Sequence, residues 1–198
     1  MPPDARIKSL HVLTSMFQKR PNVFPPPPDI IASGIKLVSR IAAGTARRVG
    51  AVSDENGFIR WRYGPHRARD SWTPGNPLRK PDFVFFERDE RDALKIRRVS
   101  MFPSVFNLLE EGKLIGNVRM SSVLRNRYSI ELDGSKSWTF HMPLYTICFS
   151  GESTTGTDVW VAIGPRENQW NILLAPGLPE RPFAAILAFI HNERYFYS

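Results

Sequence analysis

The sequence predicts a mainly β protein: a closed antiparallel barrel of about 11–12 strands around a buried C-terminal hydrophobic helix, with a basic, helical N-terminal extension. Three observations predict this fold. Nine short strand-like segments follow one another between residues 82 and 175, with turn signals and no helical pattern between them. The chain ends in a strongly apolar run. The first 50 residues differ from the rest and are rich in proline and positive charge.

The strand-like segments are short apolar or alternating runs separated by glycine and polar residues. In chain order they are DFVFFE, ALKIRRV, SVFNLLE, KLIGNVRM, RYSIELD, SWTFHM, YTICFS, TDVWVAIG and QWNILLA, and GFIRWRY (57–63) precedes them. Asp133-Gly134 is a strong hairpin signal, and Glu111-Gly112 and Gly151-Glu152 are weaker ones. Strands this regular form an antiparallel sheet that is either closed into a barrel or folded as a sandwich.

The C-terminal apolar run favours the barrel. Eight consecutive residues, Phe183 to Ile190, carry no polar side chain. At about 100° per residue, a helix of this composition has no polar side and must be buried all round. It is about 12 Å long, far short of the roughly 30 Å core of a bilayer, so only an encircling sheet can cover it. The residues expected at the centre of the barrel are Phe183, Ile186, Leu187, Phe189 and Ile190.

The ends of this helix also have sequence signals. Pro182 suits its first turn, and His191-Asn192 are expected to end it before YFY returns to a strand pattern. A buried strand over the same residues is the competing interpretation, because short apolar runs are ambiguous. The alanines at 184, 185 and 188 favour the helix.

Residues 1–50 are interpreted as an extension and residues 51–198 as the barrel domain. PNVFPPPP (21–28) contains five prolines and is either a linker or an ordered strap. Residues 29–50 predict a basic amphipathic helix that begins at Asp29 and stops at Gly50. Such a helix either lies on an anionic membrane or docks on the domain with its charges in water. The candidate lipid-binding cations of this segment are Lys36, Arg40, Arg47 and Arg48.

Charge is distributed unevenly along the chain. The net charge is +8, yet residues 1–81 contain 14 Lys and Arg against 5 Asp and Glu, whereas residues 82–198 contain 13 against 14. All of the excess positive charge therefore lies in the first part of the chain. A basic surface attracts anionic lipid, nucleic acid or an acidic partner protein through the same long-range field.

The residues with reactive side chains do not predict an enzyme. The single cysteine, Cys148, excludes an intrachain disulfide and is assigned to the sheet interior. The four histidines lack the spacing of a metal site, and GESTTG lacks the lysine of a phosphate-binding loop. We therefore expect no catalytic residues, no metal and no cofactor. With no secretion signal and no membrane-spanning segment in the sequence, we expect a cytoplasmic location, with peripheral membrane association as an option.

Nucleic-acid binding is an alternative because GFIRWRYGPHRARDSW mixes aromatic and basic residues. Trp61, Tyr63 and Trp72 stand among arginines that could hold phosphates while the rings stack on bases. Trp61 and Tyr63 also share a strand face with Ile59, however, which is typical of a half-buried strand. The arginines of this stretch are Arg60, Arg62, Arg67 and Arg69.

Several segments resemble the tubby C-terminal domain and its relatives, the phospholipid scramblases and the LURP-one-related plant proteins. FVFFERDERDALKIRRV resembles a strand, a charged turn and a basic strand of that family, and VFNLLEEGKLIGNVRM resembles its strand, acidic-glycine turn and strand. RYSIELDG and VWVAIGP are similar to later strands, and PFAAILAFIHNERYFY resembles the final buried helix and short strand. The likeness covers residues 82–198 well and residues 57–81 loosely.

The resemblance implies a non-enzymatic domain that binds anionic phospholipid headgroups or a membrane-proximal partner. The family's lipid site uses paired basic side chains beside a strand, and Lys95 and Arg97 match it on one face of ALKIRRV, with Arg98 on the other. The other interpretation is a solvated face with Glu87 and Asp89 as ion-pair partners. Because the cysteine-rich stretch of the scramblases is absent, we do not expect lipid scrambling. A protein-interaction adaptor that uses residues 1–50 is a further alternative.

Overall fold

In a computed structural model of the protein, the described residues form a closed barrel of twelve antiparallel strands and two helices. The structure describes residues 25–42, 49–65, 82–87, 93–101, 103–121, 127–132, 136–142, 148–164 and 168–197. The elements are α1 Pro28–Ser33, β1 Ile35–Ile41, β2 Gly50–Asp54, β3 Ile59–Pro65, β4 Phe83–Phe86, β5 Leu94–Met101, β6 Ser104–Glu110, β7 Lys113–Met120, β8 Arg127–Leu132, β9 Lys136–His141, β10 Cys148–Ser153, β11 Gly156–Ile163, β12 Gln169–Leu174 and α2 Glu180–Tyr197.

Each strand pairs with its neighbour in the chain, and β1 pairs with β12 to close the sheet. The closing register runs from Ile35 opposite Leu174 to Arg40 opposite Gln169. Closure matters because an open sheet would leave two rows of unpaired backbone groups at its edges. The predicted antiparallel barrel is thereby confirmed.

The helix α2 enters the barrel at one end, which we call the entry end, and its last turns lie at the other, the exit end. At the entry end, Glu180 pairs with Arg60 at the start of β3, and the Arg181 guanidinium lies 3.0 Å from the carboxylate of Glu110 at the end of β6. At the exit end, the His191 ring stacks on Trp170 of β12 at a centroid distance of 4.5 Å. The helix is therefore held at both ends.

The apolar run inside α2 is buried as predicted. Its side chains from Phe183 to Ile190 are 0–4% exposed. The Phe183 ring lies edge-on to Trp138 at 4.8 Å, and the Phe189 ring lies edge-on to Phe106 at 4.7 Å. The buried side chains of this helix and of the sheet around it form one hydrophobic core. Full burial of each large apolar side chain contributes roughly 1.5–3 kcal/mol to folding.

The strands present alternate side chains to this core. In β8, for example, Tyr128, Ile130 and Leu132 are buried while the residues between them are not. The predicted strands from residues 57 to 175 are confirmed, with shifts of a few residues at their ends. The Glu111-Gly112 turn is confirmed too, with φ of 49° and 81°. The Asp133-Gly134 turn lies outside the described residues.

The predicted helix over residues 29–50 is wrong for most of its length. A helix spans only Pro28–Ser33, and Ile35–Ile41 form β1, so the barrel begins inside the segment assigned to the extension. The side chains of Leu37, Ser39 and Ile41 point inward. Residues four apart share a face in a helix and in a strand alike, so the spacing of Lys36 and Arg40 did not discriminate between them.

Three further expectations are wrong. Asn192 does not end α2, which continues to Tyr197, so YFY is not a strand. Both His191 and Asn192 remain buried, because the helix is still inside the barrel at that point. The Gly151-Glu152 pair lies within β10, and the turn falls at Thr154 and Thr155 instead. Gly50 starts β2 rather than stopping a helix.

Replacing Phe183 with alanine tests the enclosed helix. Phe183 is 0% exposed, and Phe183→Ala is expected to lower the free energy of unfolding by about 3–5 kcal/mol. The matched control is Phe58→Ala, because Phe58 is 71% exposed and should change it by less than about 0.5 kcal/mol. Urea unfolding of both variants measures the difference. Equal losses would contradict the burial of α2.

Candidate functional site

The interior of the barrel is occupied by protein. In the described part of the chain, side chains from all twelve strands join the buried residues of α2 in one hydrophobic cluster. A ligand therefore has the outer face and the two ends of the barrel as places to bind. No described group of three or more His, Cys, Asp or Glu side chains is arranged to hold a metal ion.

A polar network lies inside the barrel at the exit end. The Ser39 hydroxyl lies 3.1 Å from the Tyr63 hydroxyl and 3.0 Å from Nδ1 of His191. Burial raises the pKa of Tyr63, and the hydrogen bond with Ser39 opposes this effect in part. Because all three residues are buried, the network is closed to a substrate and fixes α2 against β1 and β3.

Arg98 lies on the face of β5 that is turned toward the barrel interior, as the alternation in this strand predicts. Its guanidinium lies 5.5 Å from the centre of the Phe106 ring and donates to the Ser104 hydroxyl at 2.9 Å. It also donates to the carbonyl of Ser100 at 3.4 Å. The structure does not bring Arg98 together with Lys95 and Arg97, which lie on the outer face.

Lys95 and Arg97, which we call the β5 pair, point outward. Arg97 forms a forked ion pair with Asp82, with Nη2 at 2.7 Å and Nε at 3.1 Å from the carboxylate. Hydrogen bonding and the charge of Asp82 raise the pKa of Arg97. Lys95 is half-buried and pairs with no described residue. The prediction that Glu87 is the ion-pair partner on this face is wrong, because Asp82 pairs with Arg97 instead. The other predicted partner, Asp89, lies outside the described residues.

Lys36 and Arg40, the β1 pair, are also exposed on the outer face. The Lys36 ammonium lies 3.3 Å from the Glu55 carboxylate, and Arg40 Nε donates to the side chain of Gln169 at 3.1 Å. Three strands, β2 to β4, separate β1 from β5, so the two pairs form two separate surfaces. Arg47 and Arg48 lie outside the described residues.

A cleft of about 380 Å³ opens between α1 and the β2–β3 turn at the entry end. Its charged residues are compensated: Lys36 pairs with Glu55, and Arg60 pairs with Glu180. Asp54 accepts the backbone N–H groups of Asn56 and Phe58 at 2.9 and 3.0 Å, which shapes the turn. The cleft is thus polar and close to neutral.

Among the exposed outward cations that have no described partner, only Arg62 is a candidate from the sequence, as an arginine of GFIRWRYGPHRARDSW. In the part of the chain that the structure describes, the side chains of Arg62, Lys113, Arg119 and Arg127 are exposed and make no ion pair or hydrogen bond. The strands KLIGNVRM and RYSIELD were predicted, and alternation alone would have placed their arginines outside. The sequence alone does not give the pairing register of neighbouring strands, and this register decides which cations become neighbours.

Comparison with known proteins identifies no relative. No protein-family model, no curated protein and no solved structure matches this chain. Among the described residues, no helix has both the length and the apolar character needed to cross a bilayer.

Removing the Ser39 hydroxyl tests the inner network. Ser39→Ala leaves the Tyr63 hydroxyl and Nδ1 of His191 without this partner, which should cost about 1–3 kcal/mol of unfolding free energy. Ser137→Ala is the control, because Ser137 is exposed. Thermal unfolding compares the two variants. A Ser39→Ala protein as stable as the control would show that this hydrogen-bond network does not stabilise the fold.

The raised pKa of Tyr63 predicts a pH dependence. Above the ordinary tyrosine pKa of about 10, the unfolded chain loses the Tyr63 proton while the folded chain keeps it, so stability falls as pH rises. Tyr63→Phe removes this contribution, which approaches about 1.4 kcal/mol per pH unit. Urea unfolding from neutral to alkaline pH should show a shallower decline for the variant. Parallel profiles for variant and wild type would contradict the argument.

Proposed function

We propose that this protein is a non-enzymatic domain whose outer barrel face binds the anionic headgroups of phospholipids. The observation that carries the proposal is the enclosure of α2: because the apolar run occupies the interior, ligands are left to the outside of the sheet. There the β5 and β1 pairs present positive charge to solvent. The resemblance to tubby-like domains gives the same expectation.

The charge distribution supports this function energetically. A basic side chain near an anionic bilayer contributes about 1 kcal/mol, so several of them acting together give useful affinity. Lys95 has no described partner to compete with a headgroup, whereas Arg97 must share its guanidinium with Asp82. The net positive charge of residues 1–81 adds a long-range attraction to an anionic membrane.

A protein-interaction adaptor is the second candidate. The helix α1 rests on the barrel through Ile30, which is fully buried, while Ile31 beside it is 48% exposed. An exposed isoleucine on a docked helix next to a cleft favours contact with a protein. Nucleic-acid binding has less support, because Trp61 and Tyr63 are buried in the core and cannot stack on bases.

Vesicle sedimentation tests the lipid proposal. Vesicles of phosphatidylcholine alone are compared with vesicles that also contain phosphatidylserine or a phosphatidylinositol phosphate, at physiological salt. We expect the folded wild-type protein to sediment with the anionic vesicles and to remain in solution with the neutral ones. Equal behaviour with all three compositions would contradict the proposal.

The variant Lys95→Glu tests the β5 pair. Reversing this charge should weaken binding to anionic vesicles about tenfold, because a favourable contribution of about 1 kcal/mol becomes a repulsion. Lys113→Glu changes the net charge equally on an exposed side chain at the entry end and serves as the control. A loss of affinity as large in Lys113→Glu would mean that only overall charge matters.

A further inference from the structure

The connections at the two ends of the barrel differ in the sign of their charge. Those that begin and end at the entry end contain seven Asp and Glu against two Arg, and those at the exit end contain three Asp and Glu against eight Lys and Arg. The entry connections are 55–58, 87–93, 111–112, 133–135, 154–155 and 175–179, and the exit connections are 42–49, 66–82, 102–103, 121–126, 142–147 and 164–168. A positively charged partner is therefore attracted to the entry end and repelled by the exit end.

Described carboxylates provide part of this negative charge. Glu87 follows β4 and Glu111 lies in the β6–β7 turn, and both side chains are exposed. In the part of the chain that the structure describes, neither makes an ion pair or a hydrogen bond. Glu55 lies in the β2–β3 turn and shares its charge with the Lys36 ammonium at 3.3 Å. Exposed carboxylates thus stand at three different connections around the entry end.

The entry end also exposes large apolar side chains. Among the described residues, four of the five exposed large apolar side chains lie there, whereas the fifth, Val99, lies toward the exit end of β5. The four are Ile31, Phe58, Ile59 and Leu114. Apolar side chains gathered at one end of a domain indicate a contact surface. A partner for this end therefore needs apolar side chains as well as positive charge.

Three of these apolar side chains lie around the cleft between α1 and the β2–β3 turn. Ile31 belongs to α1 on one side of the cleft, and Phe58 and Ile59 follow the turn on the other side. Glu87 is close to this turn, because Phe86 before it pairs with β3. We call the following set the entry surface: Ile31, Glu55, Phe58, Ile59 and Glu87.

The chain itself contains a segment whose chemistry matches this surface. Residues 1–24 contain four Lys and Arg against one Asp. Large apolar residues recur in it at intervals of three or four positions, and they include Ile7, Leu10, Leu13 and Phe17. Positive charge and apolar side chains are thus combined in one stretch of sequence.

This segment is attached next to the entry surface. The described chain begins at Pro25, three residues before α1, and α1 forms one wall of the cleft. Because 24 extended residues span up to roughly 80 Å, chain length does not prevent contact with the surface. The entry end of a second copy is a poor partner by comparison, since its carboxylates would repel those of the first copy.

We propose that residues 1–24 bind the entry surface of their own chain. Their apolar side chains cover Ile31, Phe58 and Ile59, and their cations lie near Glu55 and Glu87. Attachment to the same chain favours this partner, because a tethered segment has an effective concentration on the order of 1 mM. This binding is separate from the proposed lipid binding, and either one can fail without the other.

Limited trypsin digestion of the full chain tests the proposal, with cleavage after Lys8 and Lys19 followed by mass spectrometry. The variants Ile31→Ser and Phe58→Ser each remove one apolar side chain from a different side of the cleft. Val99→Ser is the control, because Val99 and Ile31 are both 48% exposed. Thermal melts check folding, and all three variants should melt within a few degrees of wild type, since the substituted side chains are exposed.

Cleavage after Lys8 and Lys19 should be at least about tenfold slower in the wild-type chain than in a free synthetic peptide of residues 1–24. Ile31→Ser and Phe58→Ser should each speed cleavage about fivefold, and the Val99→Ser control less than about twofold.

A second pair of variants tests the charge of the surface. Glu87→Gln should speed cleavage after Lys8 and Lys19 about twofold, because it removes one attraction for the cations of the segment. Glu131→Gln removes the same charge from an exposed side chain on β8 and should leave the cleavage rate unchanged.

Contrary outcomes overturn the proposal in distinguishable ways. Wild-type cleavage as fast as that of the free peptide refutes binding of the segment. Protection that both Ile31→Ser and Phe58→Ser leave unchanged refutes the entry surface as the site. Protection that increases with protein concentration, together with dimers in sedimentation velocity, assigns the surface to the segment of a second copy instead. Wild-type dimers with an unprotected segment, lost in Phe58→Ser, assign the surface to a different part of a second copy.

Discussion

The enclosure of an entirely apolar helical segment is the constraint on which the rest of this structure depends. Phe183 to Ile190 have no polar side to turn toward water, so the sheet must close around them. Closure in turn requires β1 to pair with β12 and every strand to direct apolar side chains inward. Ion pairs of Glu180 and Arg181 fasten one end of the helix, and the Ser39 network fastens the other.

This constraint divides the molecule into an inside that stabilises and an outside that is available for binding. Inward polar groups such as Arg98 and Tyr63 are satisfied by neighbours and hold elements together. Outward cations differ in how far they are neutralised: Arg97 is held by Asp82, whereas Lys95 makes no ion pair with a described residue. That difference supports the proposed binding of anions, because an unpaired cation can bind an anion without first breaking an ion pair.

Sequence reasoning found the parts of the fold whose signals are local. The later strands and the buried helix were predictable because strict alternation and an eight-residue apolar run are each compatible with few structures. It failed at β1, where Lys36 and Arg40 share a face in either geometry and only pairing with β12 selects the strand. It also missed the neighbourhood of Arg119, Arg127 and His141, because register across two hairpins depends on turns and bulges that pattern alone does not specify.

Amide hydrogen exchange along α2 tests the central claim most directly. If the sheet encloses this helix, the amides from Ala184 to Ile190 can exchange only when the barrel opens, so their protection should equal the global free energy of unfolding and change with it in denaturant. Exchange of these amides through local fraying, much faster than that of the strands and insensitive to denaturant, would show that the helix lies outside the sheet and would contradict the account.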